Sequence, residues 1–285
     1  MYRRHGWLGL IVRHGLIWLA IAFALFPVVW IVSASINPTN SLQTQQLIPP
    51  NPTLAHYKTL FTDPNVPFLQ WLLNTIKVSG ITAIGTVILC AIGAYAFSRF
   101  RFTGRRTGLL GLLLVQMFPQ MLAMVAIYLL LLAISEYLPA FGLNTHPGLI
   151  VVYLGGAMGF NTWFMKGYFD TIPRSLEESA MVDGATPFRA FVRIIIPLAR
   201  PILAVVLIIQ FITAYGEYIL ASILLRGTRM YTLSVGLRFF TQEAYSRRWG
   251  TFAAAAILGA ILILLIFLPL QRMIISGLTG GAVKE

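Results

Sequence analysis

Six apolar segments, each close to the thickness of a lipid bilayer in helical length, constrain this chain more than any other feature. A helix needs about 20 consecutive apolar residues to cross the hydrocarbon core. The segments run over residues 14–36, 72–97, 109–134, 149–168, 201–225 and 252–273. The chain is 58% hydrophobic and 11% charged over 285 residues, which exceeds the apolar content of a soluble core. The sequence therefore predicts an all-α, polytopic membrane protein, a bundle of six transmembrane helices.

The first apolar segment resembles a secretory signal sequence. It follows Arg3, Arg4 and Arg13, and Ser33-Ala34-Ser35 offers a small-residue cleavage site. The apolar run is longer than the roughly 7 to 15 residues of a usual signal peptide. We therefore expect it to remain as an uncleaved membrane anchor.

Basic residues predict which side of the membrane each loop occupies, because cytoplasmic loops retain an excess of lysine and arginine. The short loop over residues 98–108 carries four arginines and gives most of this signal. It predicts that both termini are cytoplasmic. Five arginines in residues 226–250 oppose the trend. The net charge of +12 then follows from topology and contact with anionic membrane lipid, so no nucleic-acid partner is expected.

A polar hairpin lies between the fourth and fifth apolar segments. Ser175 and Glu178 stand three residues apart and predict a capping box at the start of a short helix. Gly184 is placed to end that helix in the left-handed conformation that other residues resist. Thr186 and Pro187 then predict the cap and the first position of a second short helix.

The second helix of this hairpin has one apolar face in the sequence pattern. Its members are Phe188, Phe191, Val192 and Ile195. Two helices this short are marginal alone, because nucleation consumes most of what about two turns of hydrogen bonds return. The hairpin therefore needs a supporting surface, either a protein partner or the lipid headgroups.

The hairpin resembles the signature loop of the membrane subunits of binding-protein-dependent ABC importers. That signature reads E-A-A, three residues, G, nine residues, then I-x-L-P, and this chain departs from it at Ser179 and Ile196. The resemblance implies the type I importer permease fold and a coupling helix that rests in a cleft of a cytoplasmic ATPase. The residues expected to couple to that ATPase are Glu178, Ser179, Ala180, Asp183, Gly184, Ile194 and Pro197.

The chain is not expected to be an enzyme. It has no G-x-x-x-x-G-K-[ST] loop for nucleotide phosphates, and its four histidines form no paired set of metal ligands. Cys90, the only cysteine, cannot form an internal disulfide and is predicted to pack within the second segment. No cofactor or metal is expected on this chain, and ATP and Mg²⁺ are expected on the partner ATPase.

Polar residues inside apolar spans are costly and are hypotheses of function by default. Glu217, in the fifth segment, is a candidate for gating, or it pairs structurally with a partner or a basic flank. Four neutral residues either line a polar pathway or make interhelical hydrogen bonds. They are Gln116, Asn161, Thr162 and Gln210.

Three further stretches narrow the resemblance to the maltose-importer type of permease. The motifs are Tyr231-Thr232-Leu233-Ser234-Val235-Gly236, Trp249-Gly250-Thr251-Phe252-Ala253-Ala254-Ala255 and the tail from Gly277 to Lys284. In such permeases the last external loop contacts a solute-binding protein, which here implicates Tyr231, Phe239, Phe240, Arg247 and Arg248. The glycine-rich tail enters the ATPase interface, which implicates Gly280, Gly281, Val283 and Lys284. A lid packed on the chain's own surface and a disordered terminus are the alternatives.

The resemblance implies a location in a bacterial inner (plasma) membrane, a set of partners and a domain organisation. The partners are a second, MalF-like permease subunit, a homodimeric ABC ATPase, an extracytoplasmic solute-binding protein and a sugar substrate. The expected organisation is an N-terminal arm with the first helix (1–36), a permease core (37–276) that includes the coupling loop (171–200) and the external loop (226–250), and a cytoplasmic tail (277–285). Because the sugar of such importers is held mainly by the other permease subunit, no substrate contact is carried over.

The function predicted from the sequence is therefore the permease subunit of an ATP-driven importer of maltose, maltodextrin or a trehalose-like oligosaccharide. This subunit would form half of an alternating-access pathway. An ABC permease for another solute, such as glycerol phosphate, is the alternative. An ion-driven secondary transporter should contain paired intramembrane acids and an internal repeat, and a membrane enzyme should contain clustered His, Asp or Glu. Neither pattern is evident.

Overall fold

A computed structural model describes residues 7–41, 45–242 and 248–282, and in this part of the chain the regular structure is entirely helical. The α-helices are α1 (Trp7–Ile36), α2 (Ala55–Thr62), α3 (Phe68–Arg99), α4 (Arg105–Met117), α5 (Gln120–Tyr137), α6 (His146–Thr171), α7 (Ser175–Val182), α8 (Pro187–Ala190), α9 (Ile196–Leu198), α10 (Arg200–Gly216), α11 (Ile219–Leu224), α12 (Leu233–Leu237) and α13 (Trp249–Ala282). A π-helical turn over Phe191–Ile195 joins α8 to α9. Short 3-10 turns cover Pro139–Phe141, Thr228–Met230 and Arg238–Phe240.

The number of membrane crossings agrees with the sequence. In the part of the chain that the structure describes, four helices are long and apolar enough to cross a membrane: Gly9–Ile36, Phe68–Arg99, His146–Thr171 and Trp249–Pro269. Two bent pairs pass the same test, namely Arg105–Met117 with Met121–Tyr137, bent by 101°, and Pro187–Leu198 with Arg200–Gly216, bent by 76°. The described residues thus contain four candidate crossings, or up to six if each bent pair is one span, and the upper number equals the six segments of the sequence.

Two predicted segments are not single helices. The ring of Pro119 pushes the residue before it out of the helical region, and Phe118 is extended, with φ −69° and ψ 128°. The third segment, 109–134, is therefore split into α4 and α5. In the fifth segment, 201–225, Glu217 is extended, with φ −66° and ψ 126°, and separates α10 from α11. Each of these two segments is therefore a pair of helices rather than a single one.

One compact unit combines Met1–Phe68 with Leu237–Ile261. Within it, the ring of His56 in α2 is buried, and its Nε2 lies 2.7 Å from the carbonyl oxygen of Asn37. Gly250, in the first turn of α13, packs closely against the same ring. A Cβ at this position would lie 2.3 Å from Nε2 of His56, which is a collision. A small residue at this position therefore lets α13 approach α2.

The other compact unit combines Leu69–Gly236 with Leu262–Glu285 and has two buried apolar clusters. The first consists of Cys90, Ala91, Ala94, Tyr95, Met165, Phe169, Ile172, Phe191, Ile195, Ala199, Ile202 and Val206. The second consists of Val78, Leu131, Leu149, Ile150, Leu220, Ala221, Leu224, Leu225 and Val235. Helices α3 and α6 contribute to both clusters. Cys90 is fully buried in the first, as its predicted packing role requires.

Gly236 allows a second close approach, and its substitution tests the packing of this unit. A Cβ on Gly236 would overlap the buried indole ring of Trp71, whose Nε1 donates a hydrogen bond to the carbonyl oxygen of Thr228 at 2.7 Å. We expect Gly236→Ala to lower the free energy of unfolding by about 1 to 3 kcal/mol, because it overpacks a filled site. Thermal unfolding of the purified protein measures the change. Gly80→Ala, where the added methyl group meets open space in α3, is the control and should not destabilise.

Candidate functional site

The hairpin between α6 and α10 forms a tight elbow centred on Gly184. Gly184 has φ +87°, in the left-handed region, and its N–H donates to the carbonyl oxygen of Met181 at 3.1 Å. The N–H of Ala185 donates to the carbonyl oxygen of Ala180 at 2.9 Å. These two bonds form a Schellman motif, which satisfies carbonyl groups at the end of α7. The predicted helix end at Gly184 is confirmed.

The start of α8 follows the sequence prediction, whereas the start of α7 does not. The side chain of Thr186 accepts a hydrogen bond from the N–H of Arg189 at 3.3 Å, and Pro187 occupies the first turn. Ser175 lies inside α7 and makes no cap, because the backbone of Arg174 is already helical, with φ −65° and ψ −28°. The predicted capping box of Ser175 with Glu178 is therefore wrong.

The predicted apolar face of the second helix is divided between core and surface. Phe191 and Ile195 are buried, at 6% and 0% relative exposure, whereas Phe188 and Val192 are 71% and 44% exposed. The N–H of Ile196 bonds to the carbonyl oxygen of Phe191, which is the i→i+5 pattern of a π-helix. The wider turn changes the angular spacing of the side chains, so α-helical periodicity does not describe this face.

A buried ion pair lies beneath the elbow. Oε1 of Glu177 accepts from Nε of Arg99 at 2.5 Å, and the two side chains are 5% and 7% exposed. The hydroxyl of Tyr95 donates to Oε2 of Glu177 at 2.9 Å and lies 3.2 Å from the carbonyl oxygen of Pro187. Buried charges are tolerated when they are paired and hydrogen-bonded, as these are. The end of α3 is thus joined to both helices of the elbow.

Further polar contacts join this end of α3 to α6 and to the entry of the hairpin. Nη2 of Arg99 donates to the carbonyl oxygen of Ile172 at 2.9 Å, and Nη2 of Arg174 donates to that of Ser98 at 2.9 Å. Oγ of Ser98 donates to Oδ1 of Asp170 at 2.6 Å. Hydrogen bonds therefore join three separate parts of the sequence beneath the elbow: the end of α3, the end of α6 and the entry of the hairpin.

Sequence reasoning selected Glu178 and overlooked Glu177. Adjacent residues of a helix point in different directions. Glu177 consequently faces the core, while the side chain of Glu178 is exposed and makes no hydrogen bond within the described residues. The sequence contains only a weak signal for the buried pair. In the sequence, Arg99 counts only as one of the arginines that predict which side of the membrane a loop occupies, and it lies far from Glu177 along the chain.

The outer surface of the elbow is partly apolar. Val182 and Phe188 are 87% and 71% exposed, and Leu176 and Met181 are each more than 40% exposed. Of the predicted coupling residues, Ser179 and Asp183 are exposed on this surface beside Glu178, and Ala180 is half-buried. Ile194 and Pro197 are half-buried in the following turns. An exposed apolar patch rimmed by polar residues is typical of a contact site for another protein.

A second candidate site is a polar cavity within the larger unit, with a volume of about 200 Å³. It is lined by Thr82, Gln116, Val152, Tyr153, Gly156, Ala157, Phe160, Asn161, Gln210, Thr213, Ala214, Glu217 and Leu220. Three of the four neutral residues singled out in the sequence are among them. The fourth, Thr162, is buried against Gly93 of α3 and does not line the cavity.

The carboxylate of Glu217 acts at the break between α10 and α11. It accepts hydrogen bonds from the N–H of Leu220 at 2.7 Å and from that of Ala221 at 3.0 Å, and it also accepts one from the hydroxyl of Tyr153. It thereby satisfies two of the N–H groups that the start of a helix leaves without partners. Within the described residues its partners are these internal donors and not a basic flank, so its predicted pairing with a partner subunit and its part in gating both stay predictions.

Comparison with known proteins assigns the family. The profile described as "Binding-protein-dependent transport system inner membrane component" matches residues 88–279. The "Maltose/maltodextrin transport system permease protein MalG" of Escherichia coli (strain K12) is 45% identical over 287 residues, covering 96% of this chain and 96% of that protein. The chain belongs to the binding-protein-dependent transport family of inner membrane components. The protein of the same name from Vibrio vulnificus (strain YJ016) is also 45% identical, over 95% of this permease and 94% of its own length.

Solved structures support the fold of this permease. A chain of a bacterial ABC transporter involved in the import of the acidic polysaccharide alginate aligns with a TM-score of 0.80 at 24% identity, covering 95% of this chain and 98% of that one. A chain of the alginate transporter in complex with a periplasmic protein bound to an alginate pentasaccharide aligns with a TM-score of 0.65 at 22% identity, over 93% of both chains. The predicted importer permease fold is thereby confirmed.

Several side chains of the loop over residues 226–250 are buried in the chain itself or bonded to it. Phe240 is fully buried and Phe239 and Tyr231 are half-buried. Nη1 of Arg248 donates to Oδ2 of Asp63 at 2.8 Å, and this hydrogen bond holds the pKa of Asp63 below its usual value. Arg247 lies outside the described residues. Contact of this loop with a binding protein stays a prediction.

The C-terminal tail is described only in part. The backbone of Gly280 and Gly281 continues the helix α13 to Ala282, so this stretch is helical rather than an irregular tail. Val283 and Lys284 lie outside the described residues. Their predicted contact with the ATPase stays a prediction.

Removing one partner of the buried ion pair should destabilise the elbow. Glu177→Gln leaves the charge of Arg99 buried without its counter-ion, which costs about 3 to 5 kcal/mol. We expect a lower yield and a lower thermal midpoint for the purified protein. Glu178→Gln makes the same chemical change at an exposed position and should shift the free energy of unfolding by less than about 0.5 kcal/mol. Equal effects of the two changes would contradict a special role for Glu177.

Glu217→Gln should weaken the junction of α10 and α11. The neutral amide is a poorer acceptor for two N–H groups and a hydroxyl, and hydrogen bonds to charged groups contribute about 1.5 to 3 kcal/mol each. If the acid also holds a closed state, basal ATPase activity of the assembled complex should rise relative to transport. Glu136→Gln, in the exposed part of α5, is the matched control. Unchanged transport and ATPase activity in Glu217→Gln would remove the gating hypothesis.

Proposed function

We propose that this permease is the transmembrane subunit of an ATP-driven importer of sugars, with maltose, maltodextrins or a similar oligosaccharide as substrate. The observation that carries the proposal is the 45% identity, over nearly the whole chain, with relatives named as maltose/maltodextrin permeases. As in those relatives, the role is translocation rather than catalysis. An ABC permease for another solute, such as glycerol phosphate, remains the alternative to be tested.

In this proposal the elbow is the point at which the permease contacts a cytoplasmic ATPase. Its exposed apolar tip, formed by Val182 and Phe188, would enter a cleft of the ATPase, and Glu178 would lie at the rim of the contact. Burial of apolar surface stabilises such an interface by about 25 cal/mol per Å² before the costs of association. This contact would also provide the supporting surface that two short helices require.

The buried base of the elbow makes it suitable for passing movement into the membrane. Because Glu177 is paired with Arg99, displacement of α7 carries the end of α3 with it. Tyr95 extends the same connection to α8 through the carbonyl oxygen of Pro187. Closure of the ATPase dimer around ATP and Mg²⁺ would therefore move α3 together with the elbow and shift the pathway between inward-open and outward-open arrangements.

The proposal includes an assembly and an orientation. A second, MalF-like permease subunit would form the other half of the pathway, two ATPase subunits would hold the nucleotide, and a solute-binding protein would contact the external loop over 226–250. Both termini would be cytoplasmic, in the inner membrane. The tail over 277–285 would approach the ATPases. The solved alginate transporter with a periplasmic protein bound supports the presence of such a binding protein as a partner class.

A change at the tip of the elbow tests the coupling role. We expect Phe188→Ser to reduce sugar-stimulated ATPase activity and uptake by at least about tenfold, because it removes a large apolar side chain from the proposed interface. The complex is assayed in proteoliposomes with its binding protein. Phe141→Ser changes another exposed aromatic residue, 47% exposed in the turn after α5, and should leave both activities near those of the unmodified complex.

The orientation of the elbow has its own test. Asp183→Cys in a chain with Cys90→Ala should react with a membrane-impermeant maleimide only after the cytoplasmic face is opened. Labelling from the external medium of intact cells would overturn the coupling role.

The substrate is tested by competition. Uptake of radiolabelled maltose is measured in cells whose only such permease is this chain, against unlabelled maltodextrins, trehalose, other sugars and glycerol phosphate. Saturable uptake inhibited best by maltose or maltodextrin supports the proposed substrate. Failure to import maltose, with import of another solute in the panel, would replace it.

A further inference from the structure

An open cavity of about 560 Å³ lies where α4 begins, beside the last turns of α6. Its lining contains three basic side chains, Arg105, Arg106 and Lys166, and, among the described residues, no acidic one. The remaining lining residues are Phe102, Gly104, Thr107 and Leu109. The volume lies within the roughly 300 to 1,000 Å³ that sites for small molecules occupy. The composition of the lining therefore suits an anionic ligand.

Only one of the three positive charges is balanced by an adjacent acid. Nζ of Lys166 donates to Oδ2 of Asp170. Arg105 donates from Nε and Nη2 to carbonyl oxygens at the end of α3, at 2.6 and 3.3 Å, which fixes its position but leaves its charge without an ion pair within the described residues. Arg106 is exposed and forms neither a hydrogen bond nor an ion pair with a described residue. The cavity therefore has an excess of two positive charges.

A phosphate is the anion that this arrangement suits. The planar guanidinium group of arginine donates two parallel N–H bonds whose spacing matches a pair of phosphate oxygens. The whole guanidinium of Arg106 is available for such a contact, as is Nη1 of Arg105. The ammonium of a zwitterionic ligand would be repelled by the excess positive charge, because the carboxylate of Asp170 is already bonded to Lys166 and Ser98. The cavity thus favours a phosphate ligand that is anionic as a whole.

The surface of α4 beyond the cavity is apolar and exposed. Leu110, Leu114 and Met117 follow Arg106 at i+4, i+8 and i+11, so the four residues share one face of the helix. The three apolar side chains are 50%, 65% and 78% exposed. Helix α4 belongs to a candidate membrane span, in which such a face needs an apolar partner. A phospholipid joins the two features, because its phosphate lies at the membrane surface and its acyl chains extend from there into the hydrocarbon core.

We propose that the start of α4 and the end of α6 form a binding site for one anionic phospholipid, whose phosphate is bound by Arg105 and Arg106 and whose acyl chain lies along the face of Leu110. This site goes beyond the proposed function and does not depend on which solute is transported. It also differs from the general attraction of basic loops to anionic lipid, which requires neither a cavity nor a particular arginine.

Arg106→Gln is the direct test, because Arg106 makes no hydrogen bond or ion pair within the described residues whose loss would affect folding. The permease, purified with its native partner subunits, is reconstituted in phosphatidylcholine vesicles. The vesicles contain a trace of photoactivatable phosphatidylglycerol or of photoactivatable phosphatidylcholine, both with the same diazirine-labelled acyl chain. After illumination, mass spectrometry measures the labelling of residues 105–117 by each probe.

The ratio of labelling by the anionic probe to labelling by the zwitterionic probe reports the selectivity of the site. We expect this ratio to be well above one for the unmodified complex. We expect it to fall about fivefold in Arg106→Gln, since one basic residue near a membrane surface contributes about that factor to the binding of anionic lipid. Arg106→Lys, which keeps the charge, should retain most of the selectivity. A ratio of one for the unmodified complex would overturn the site.

Arg101→Gln is the matched control. Arg101 is exposed in the same loop and also forms no hydrogen bond or ion pair within the described residues, but it does not line the cavity. The substitution changes the net charge of the chain by the same amount and should leave the ratio unchanged. Equal losses in Arg101→Gln and Arg106→Gln would show attraction to surface charge alone and would overturn the site.

Two further results would give this surface a different occupant and overturn the lipid site. Inorganic phosphate, added at constant ionic strength, should not lower the ratio, and a fall would assign the cavity to a soluble phosphate. Absence of labelling of residues 105–117 by both probes would show that a partner subunit covers this face of α4 in the complex.

Discussion

The buried pair of Arg99 and Glu177 is the interaction on which the hairpin depends. Two short helices have little stability of their own, and the exposed apolar tip adds none until another protein covers it. The pair attaches α7 to the end of α3. The hydroxyl of Tyr95, also in α3, contacts Glu177 of α7 and the carbonyl oxygen of Pro187 in α8. Such pairs cost desolvation energy and are weak contributors to net stability, but losing one partner is expensive. Their value here is geometric, because they fix one arrangement of α3 and α7.

The breaks in the membrane-length segments follow a second constraint. Backbone groups released at a helix break must find partners where water is absent. Glu217 provides them for the start of α11 with its carboxylate. Gln116 makes a related contact with the continuous helix α6, where its amide donates to the carbonyl oxygen of Gly156 and accepts from the N–H of Phe160. Both residues also line the polar cavity. Two side chains that bond to the backbone of neighbouring helices thus also contribute to a polar surface inside the bundle.

Local sequence rules predicted the features of the elbow that depend on neighbouring residues. The left-handed Gly184 and the cap of Thr186 with Pro187 involve contacts over only a few residues, and both were predicted correctly. The capping box at Ser175 failed because helical backbone at Arg174 moved the start of the helix. The apolar face of the second helix failed where the π-helical turn replaced the α-helical period, which a regular pattern does not anticipate.

The sequence by itself determined the membrane-spanning segments, the position of the turn in the hairpin and the resemblance to importer permeases. Each depends on composition, on short-range spacing or on a motif contained in one stretch of chain. Only the tertiary structure decided that Glu177 rather than Glu178 is buried, and that Thr82, Asn161, Gln210 and Glu217 meet around one cavity. Those side chains come from helices separated along the chain, and their meeting depends on how the helices pack, which no local pattern specifies.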